Sequence, residues 1–248
     1  MLLLIDAGNT RIKWALAETH HAVGEWYAAG SALHAELEKL KHAWSGQTIP
    51  NAIISNVAGD AIASTLKKIL HELGVSEKSI QWFRAQPHAG GVHNSYQQPT
   101  QLGSDRFASL IGARHRYASE RLLVVTCGTA TTIDALEADG TFMGGMILPG
   151  LATMATSLAV NTALLPSVDA VVRARVFADN TQDAIISGCL SAQVGAIMMA
   201  YQERSDPLPR CVLSGGAARY LGPYLPMPFD AVDNLVLLGL DASVAGAS

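Results

Sequence analysis

The sequence is short of cysteine and of charge. Three cysteines occur in 248 residues, Cys127, Cys189 and Cys211, and none forms a C-x-x-C pair. That spacing leaves neither a disulfide framework nor a zinc knuckle, and the apolar or small neighbours of all three are those of inert core thiols. Charged residues make up only 15% of the chain and the net charge is −4, so the basic footprint of a nucleic-acid-binding protein is missing. The eight histidines show no H-E-x-x-H or comparable ligand spacing. No apolar run approaches the ~18 residues of a membrane helix, and Asp6 comes too early for a signal peptide. A cytoplasmic protein without a membrane partner is expected. A G-x-x-x-x-G-K-S/T phosphate loop is absent too. What is present is 49% hydrophobic residues, enough for a sizeable core in one domain or two small ones.

The rest of the chain is organised around Leu2-Leu3-Leu4-Ile5-Asp6-Ala7-Gly8-Asn9-Thr10-Arg11-Ile12-Lys13-Trp14-Ala15-Leu16. An apolar run enters an Asp-x-Gly-Asn-Thr turn and leaves with alternating Ile12, Trp14 and Leu16, the pattern of a β-hairpin. Gly8 permits close backbone approach, Asn9 and Thr10 bring side-chain hydrogen bonds, and successive N–H groups in such a turn form an anion-binding concavity. Asp6, ending a buried strand, needs a cationic partner. Mg2+, which takes one or two carboxylates with phosphate oxygens, fits that need. An ordinary hairpin with a Gly-Asn turn is the other reading of the same residues.

The pattern returns at Leu122 to Leu136, which lies on the first stretch without a gap: Leu2/Leu122, Leu3/Leu123, Gly8/Gly128, Ala15/Ala135 and Leu16/Leu136 coincide. The chain thus reads as two halves, each opening with a strand, a Gly/Thr turn and a second strand. A cleft between two such halves could grip a polyphosphate from both sides.

Along the chain, a third strand is expected over Gly24 to Gly30, a helix over Ala32 to Ala43, a strand over Ala52 to Val57 and a helix over Asp60 to Leu73, together a mixed sheet covered by helices. Ala85 to Leu102 reads as a long loop, and long ordered loops are often functional. It delivers the chain into Leu102-Gly103-Ser104-Asp105-Arg106-Phe107, where a helix begins with Ser104 or Asp105 at its N-cap. Asp105 is then either a simple cap or a carboxylate held beside Arg106 that accepts a hydroxyl proton. Gly144 to Gly150 forms a glycine-flanked strand before a helix starting near Leu151, and Leu164 to Ala178 is irregular. Asn180-Thr181-Gln182-Asp183 caps a long helix, where Thr181 serves as cap or as ligand donor. Arg210 to Ala218 is a buried strand ending in Gly215-Gly216, a turn against which a flat base could slide, and Asn234 to Leu240 packs back as a helix.

Taken together, Asp6-Ala-Gly-Asn-Thr10 with Lys13, Gly103-Ser-Asp-Arg106, and Gly128-Thr-Ala-Thr131 with Asp134 resemble the motif set of the type III pantothenate kinases, over nearly the whole chain. These belong to the acetate and sugar kinase, Hsp70 and actin superfamily. The resemblance implies an α/β fold of two duplicated ribonuclease-H-like (actin-like ATPase) domains, residues 1–118 and 119–248, with mixed sheets flanked by helices and the nucleotide in the interdomain cleft. It implies ATP-dependent phosphorylation of pantothenate to 4′-phosphopantothenate, the first step toward coenzyme A, by a homodimer using Mg2+. Asp6, Ala7, Gly8, Asn9, Thr10, Arg11, Ile12 and Lys13 would then bind ATP, with Asp6 near the magnesium. Gly128 and Thr129 would form the second phosphate loop. Asp105 would be the base, with Tyr96, Gly103, Ser104 and Arg106 on pantothenate and Thr181 closing the site, from the neighbouring subunit. The family has an aspartate, associated with a monovalent cation (K+ or NH4+), where this chain has Thr126. A hydroxyl alone there leads us to expect a weaker or differently built cation site. Two other readings stand beside the kinase: a non-catalytic regulatory or accessory protein on the same fold, and another activity of the superfamily.

Overall fold

A computed structural model describes residues 1–18, 20–162, 165–166, 175–203 and 207–245. Its contacts divide the chain into a first unit of residues 1–118 together with the chain from Asn234, and a second unit of residues 119–233.

In the first unit the apolar runs become β1 (Leu2–Ala7), β2 (Arg11–Ala17), β3 (Ala28–Leu33), β4 (Asn51–Asn56) and β5 (Ile80–Phe83), in the order β3-β2-β1-β4-β5. The first three are antiparallel, and β4 and β5 run parallel to β1 and to each other. Strand alternation sorts the side chains. Leu3, Ile5, Ala7, Ile12, Trp14, Ala52 and Ile54 join α1 (Glu38–Trp44) and α2 (Asp60–Glu72) in one core, where Trp14 meets Trp44 edge to face at 6.2 Å. Leu4, Asp6, Ile53 and Ser55 lie on the opposite face. The expected strand over 24–30 is displaced to Ala28–Leu33, and the expected helix over 32–43 is reduced to a 3-10 turn at His34–Glu36 followed by α1. The cause is pairing: β3 must extend to Leu33 to lie opposite Arg11. The long loop contains a short hairpin, β6 (His88–Ala89) and β7 (Val92–Asn94), and a 3-10 turn at Pro99–Gln101 before α3 (Ser104–Arg116). The expected second domain ends differently as well. Its last segment forms α7 (Leu235–Ala245) and joins the first unit, packing so closely on α3 that a methyl group on Gly239 would overlap the Ala108 carbonyl. Buried Asp241 of α7 fastens it further, accepting hydrogen bonds from His21 Nε2 (2.7 Å), the Gly24 N–H (2.9 Å) and Trp26 Nε1 (3.0 Å).

The second unit repeats the topology. β8 (Leu122–Cys127), β9 (Ala130–Leu136), β10 (Thr141–Pro149), β11 (Arg210–Ser214) and β12 (Phe229–Ala231) run in the order β12-β11-β8-β9-β10, again three antiparallel strands followed by two parallel ones. Its core joins β8 and β11 to α4 (Leu151–Asn161), α5 (Thr181–Glu203) and the short α6 (Ala218–Leu221). Of all the described helices, only α5 has the length and apolarity to cross a membrane. Its Ile185, Ile186, Cys189, Leu190, Ile197 and Tyr201 are instead buried within the unit. The reading of 164–178 as irregular falls largely outside the described residues.

The duplication is not gapless. Ala7 pairs with Ile12 across the first turn but Cys127 pairs with Thr131 across the second, which is one residue shorter. β8 follows β1 at an interval of 120 residues, whereas β9 follows β2 at 119. Lys13 therefore corresponds to Thr132, and the coincidence of Ala15 with Ala135 and of Leu16 with Leu136 reflects two apolar strands, not equivalent positions.

Candidate active site

Pairing registers place Lys13, Asp6 and Ser55 side by side on β2, β1 and β4, on the sheet face opposite the tryptophan core. This polar row ends where the strands turn, and α3 begins beside it: the Ser55 and Ser104 hydroxyls hydrogen-bond at 2.8 Å. Asp6 and Asp105 are close enough to act on each other. Burial, reinforced by the Asp105 charge and opposed by Lys13, leaves the Asp6 pKa pushed up to about 7. Burial also raises that of Asp105, against the Arg106 N–H and the Arg106 charge.

Neither Ser104 nor Asp105 is the N-cap of α3. Gly103 holds that position, and no side chain caps the helix. Asp105 Oδ1 instead accepts the Arg106 N–H at 2.8 Å, which orients the carboxylate. Gly103 is required by that orientation, because a Cβ there would lie 2.7 Å from Asp105 Oδ1. Arg106 is buried and its Nη1 donates to the Tyr96 hydroxyl at 3.0 Å. Tyr96 is held in turn by Asn94, whose Oδ1 accepts the Tyr96 N–H (3.2 Å) while its Nδ2 donates to the Pro99 carbonyl (3.0 Å). The first turn closes with the Gly8 N–H on the Arg11 carbonyl at 3.2 Å. Asn9, Thr10 and Arg11 are exposed, whereas the Ala7 and Ile12 side chains are wholly in the core, so those two offer a ligand only backbone.

In the second unit Gly128 and Thr129 form an exposed turn fixed from behind. The Thr129 carbonyl accepts the Gly150 N–H (2.9 Å) and the Thr153 hydroxyl (2.7 Å), and the Cys127 carbonyl accepts the Ala217 N–H (3.1 Å). Cys127 itself is buried, and its thiol is pushed up to about 12 by burial and by Cys211. Thr126 stands opposite Thr132 and beside Ser214, and the buried hydroxyls of Thr126, Thr131 and Thr132 find no hydrogen-bond partner among the described residues. A cavity of about 380 Å³ opens beside the glycine pair, lined by Gly215, Gly216, Arg219, Phe229 and Asp233 among others. Thr181 is the exposed first residue of α5, and the cap there is Asn180, whose Oδ1 accepts the Asp183 N–H at 3.0 Å.

Thus Asp6, Lys13, Ser104 and Asp105 gather in the first unit with Arg106 of the same helix start, which holds Tyr96 of the preceding loop, while Gly128 and Thr129 belong to the second. Sequence reasoning did not find Ser55, Asn94 or His34, which supports the first turn. Only Ser55 left a trace, as a polar residue ending an apolar strand. Among the described residues no group of three or more histidine, cysteine or acidic side chains could hold a metal by itself. Two neighbouring carboxylates, each pushed toward the neutral form by burial, nonetheless suit a divalent cation completed by phosphate oxygens.

A family profile described as type III pantothenate kinase matches residues 2–203. The type III pantothenate kinase of Herminiimonas arsenicoxydans is 51% identical over an alignment covering 97% of this chain and 96% of that one. That of Aromatoleum aromaticum is 46% identical, with the same coverage of both chains. Among solved structures, the ethanolamine utilization protein EutJ from Carboxydothermus hydrogenoformans aligns with a TM-score of 0.56 at 11% identity, over 97% of this chain and 89% of that one. The activator of 2-hydroxyisocaproyl-CoA dehydratase from Clostridium difficile, with bound ADPNP, aligns with a TM-score of 0.50 at 13% identity, over 98% and 93%. Both structural likenesses are of fold alone.

Proposed function

The chain belongs to the type III pantothenate kinases, ATP-dependent enzymes that phosphorylate pantothenate in coenzyme A biosynthesis, and we propose that it carries out this reaction with Asp105 as the base. The observation that carries the proposal is the carboxylate at the start of α3: desolvated, oriented by the Arg106 N–H and close to Asp6. A base works best with a pKa near the working pH, and burial moves Asp105 in that direction. As the acceptor oxygen bonds to the γ-phosphorus and the bond to the ADP oxygen breaks, Asp105 receives the hydroxyl proton. Phosphoryl transfer asks little covalent chemistry of a protein, so positioning by turns and fixed charges supplies the rest.

In this reading Ala7 to Lys13 offer the first phosphate turn, and Gly128 and Thr129 the second. The cavity beside Gly215 and Gly216 takes the nucleoside. Asp6 would hold Mg2+ with phosphate oxygens, and the ion would neutralise the charge on the transferring group. Tyr96, Gly103, Ser104 and Arg106 form the pantothenate side, with Thr181 contributed by the second subunit of a cytoplasmic homodimer. Potassium or ammonium binds weakly here, because Thr126 and Thr132 bring hydroxyls and no charge. The accessory-protein reading is not favoured by family membership.

An assay of ADP release with ATP, Mg2+ and pantothenate tests the base directly. Asp105→Asn is expected to lower kcat by about 100-fold or more while the KM for ATP changes little. A variant that turns over at the native rate would remove Asp105 from the role.

A further inference from the structure

We infer that His34 is a positioning residue for ATP: it holds the Gly8 carbonyl and so aims the Asn9 N–H at the phosphates. The inference rests on the reading of the first turn as a phosphate site, and it begins with register. Leu33, the last residue of β3, lies opposite Arg11, the first residue of β2 after the turn. The next residue, His34, therefore stands alongside the turn as the chain leaves the strand for the 3-10 turn at His34–Glu36. Its Nε2 lies 2.8 Å from the Gly8 carbonyl oxygen. A carbonyl only accepts, so Nε2 carries the proton and donates.

Both peptide groups of Gly8 are then engaged, since its N–H donates to the Arg11 carbonyl at 3.2 Å. The peptide unit is planar and trans, so the Gly8 C=O and the Asn9 N–H point in opposite directions. Fixing the carbonyl fixes the N–H. Asn9 is exposed and its N–H meets no partner within the described residues. Glycine resists rotation of that plane very little. Without the imidazole, the same freedom that lets Gly8 form the turn lets its carbonyl oxygen swing toward an anion and repel it. The second unit restrains a turn carbonyl as well, there with the Gly150 N–H and the Thr153 hydroxyl on Thr129. Restraint of a carbonyl behind the turn is thus common to both halves, but the donors are unrelated in sequence.

The test compares His34→Ala, His34→Met and His34→Gln with the native enzyme in steady-state kinetics, alongside thermal melting. Glutamine places an amide donor near the position of Nε2, and methionine has similar length without a donor. We expect Ala and Met to raise the KM for ATP about tenfold, the loss of one hydrogen bond's worth of alignment, with the KM for pantothenate within about twofold of native. Gln should restore most of the ATP affinity. A purely structural role would move the melting temperature and both KM values together, for Gln as for Met. If His34→Ala does not fold, the Gln and Met pair still decides. An ATP KM that is native in Met, or as poor in Gln as in Met, overturns the inference. Asp6→Asn in the same assay separates the two levels. If it leaves ATP kinetics native, the turn is not a phosphate site and the inference falls with that reading; if it impairs them while Met does not, the role of His34 alone falls.

Discussion

At matching places in the two units a row of three polar side chains crosses the sheet: Lys13, Asp6 and Ser55 on β2, β1 and β4, and Thr132, Thr126 and Ser214 on β9, β8 and β11. The serine is common to both rows; the charged pair of the first is replaced by two hydroxyls in the second. The turns beyond the rows differ in the opposite sense. The first is supported by a side chain, His34, and Gly8 has room for a Cβ in ordinary contact with the Arg11 carbonyl at 3.4 Å. The second is held by the Thr153 hydroxyl together with closely packed main chain. A methyl group on Gly150 would overlap the Gly128 carbonyl, and one on Gly215, whose φ of 96° already favours glycine, would overlap the Cys127 carbonyl. One topology therefore carries two local designs: the first half sets a charged pair beside an adjustable turn, and the second sets hydroxyls beside a rigid one.

The sharpest way to break this contrast is to add one methyl group on each side. Gly150→Ala drives Cβ into backbone that cannot rotate away, and we expect a loss of about 3 kcal/mol or more. Gly8→Ala meets no such obstacle and should stay within about 1 kcal/mol of the native chain. Urea unfolding of the two variants measures both. Equal losses would mean that the turns are supported alike.

Next in size is an exchange of chemistry between the rows. Thr126→Asp places a carboxylate among the unpartnered Thr126 and Thr132 hydroxyl positions, where no lysine corresponds to Lys13. An unpaired carboxylate in that setting should destabilise the fold by about 2 kcal/mol, and potassium or ammonium should recover much of the loss and activate the variant steeply. The native chain should respond only shallowly to the same ions. Steep potassium activation of the native enzyme, unchanged in Thr126→Asp, would show that the hydroxyls already do a carboxylate's work.

Much of this was legible in the sequence because it is local. Alternating apolar residues around Asp6-Ala-Gly-Asn-Thr10 specify a hairpin with its polar turn, and the helical spacing of Ile62, Leu66, Ile69 and Leu70 specifies α2. What escaped was set by pairing and packing. The one-residue difference between the turns is invisible to a match of apolar letters, since β-pairing and not composition decides which residue faces which. His34 carries no local signal, as its role follows from the register of β2 with β3. The place of α7 was equally hidden: nothing in Leu235 to Leu240 states that the helix will lie against Gly112 and Ala108 of α3. The site was legible as residue types and not as geometry. Asp105 looked like a cap, yet the capping position belongs to Gly103, and the carboxylate is held by its own neighbour's N–H.

The mildest test concerns the charge that only the first row retains. The Asp6 pKa is pushed up to about 7 from an ordinary 3.8, so between those values the folded chain holds a proton that the unfolded chain has released. Stability must then fall as pH rises from about 4 to 7 and level off beyond, because a raised carboxylate pKa opposes the folded state wherever the group is ionised. Ionising a carboxyl that titrates near 7 in the fold and near 4 in the open chain costs at most about 4 kcal/mol. With Lys13 and solvent free to relax around the carboxylate, about 2 kcal/mol is the expected cost at about pH 8. Asp6→Asn removes the ionisation. In metal-free buffer it should match the native chain near pH 4 and exceed it by that amount at the alkaline end, and Mg2+ with ATP should narrow the gap by stabilising only the native protein. Melting curves of the two proteins across this range decide the matter: parallel pH profiles would mean that Asp6 is not held in a desolvated site, and the electrostatic contrast between the two rows would reduce to a difference of side-chain shape.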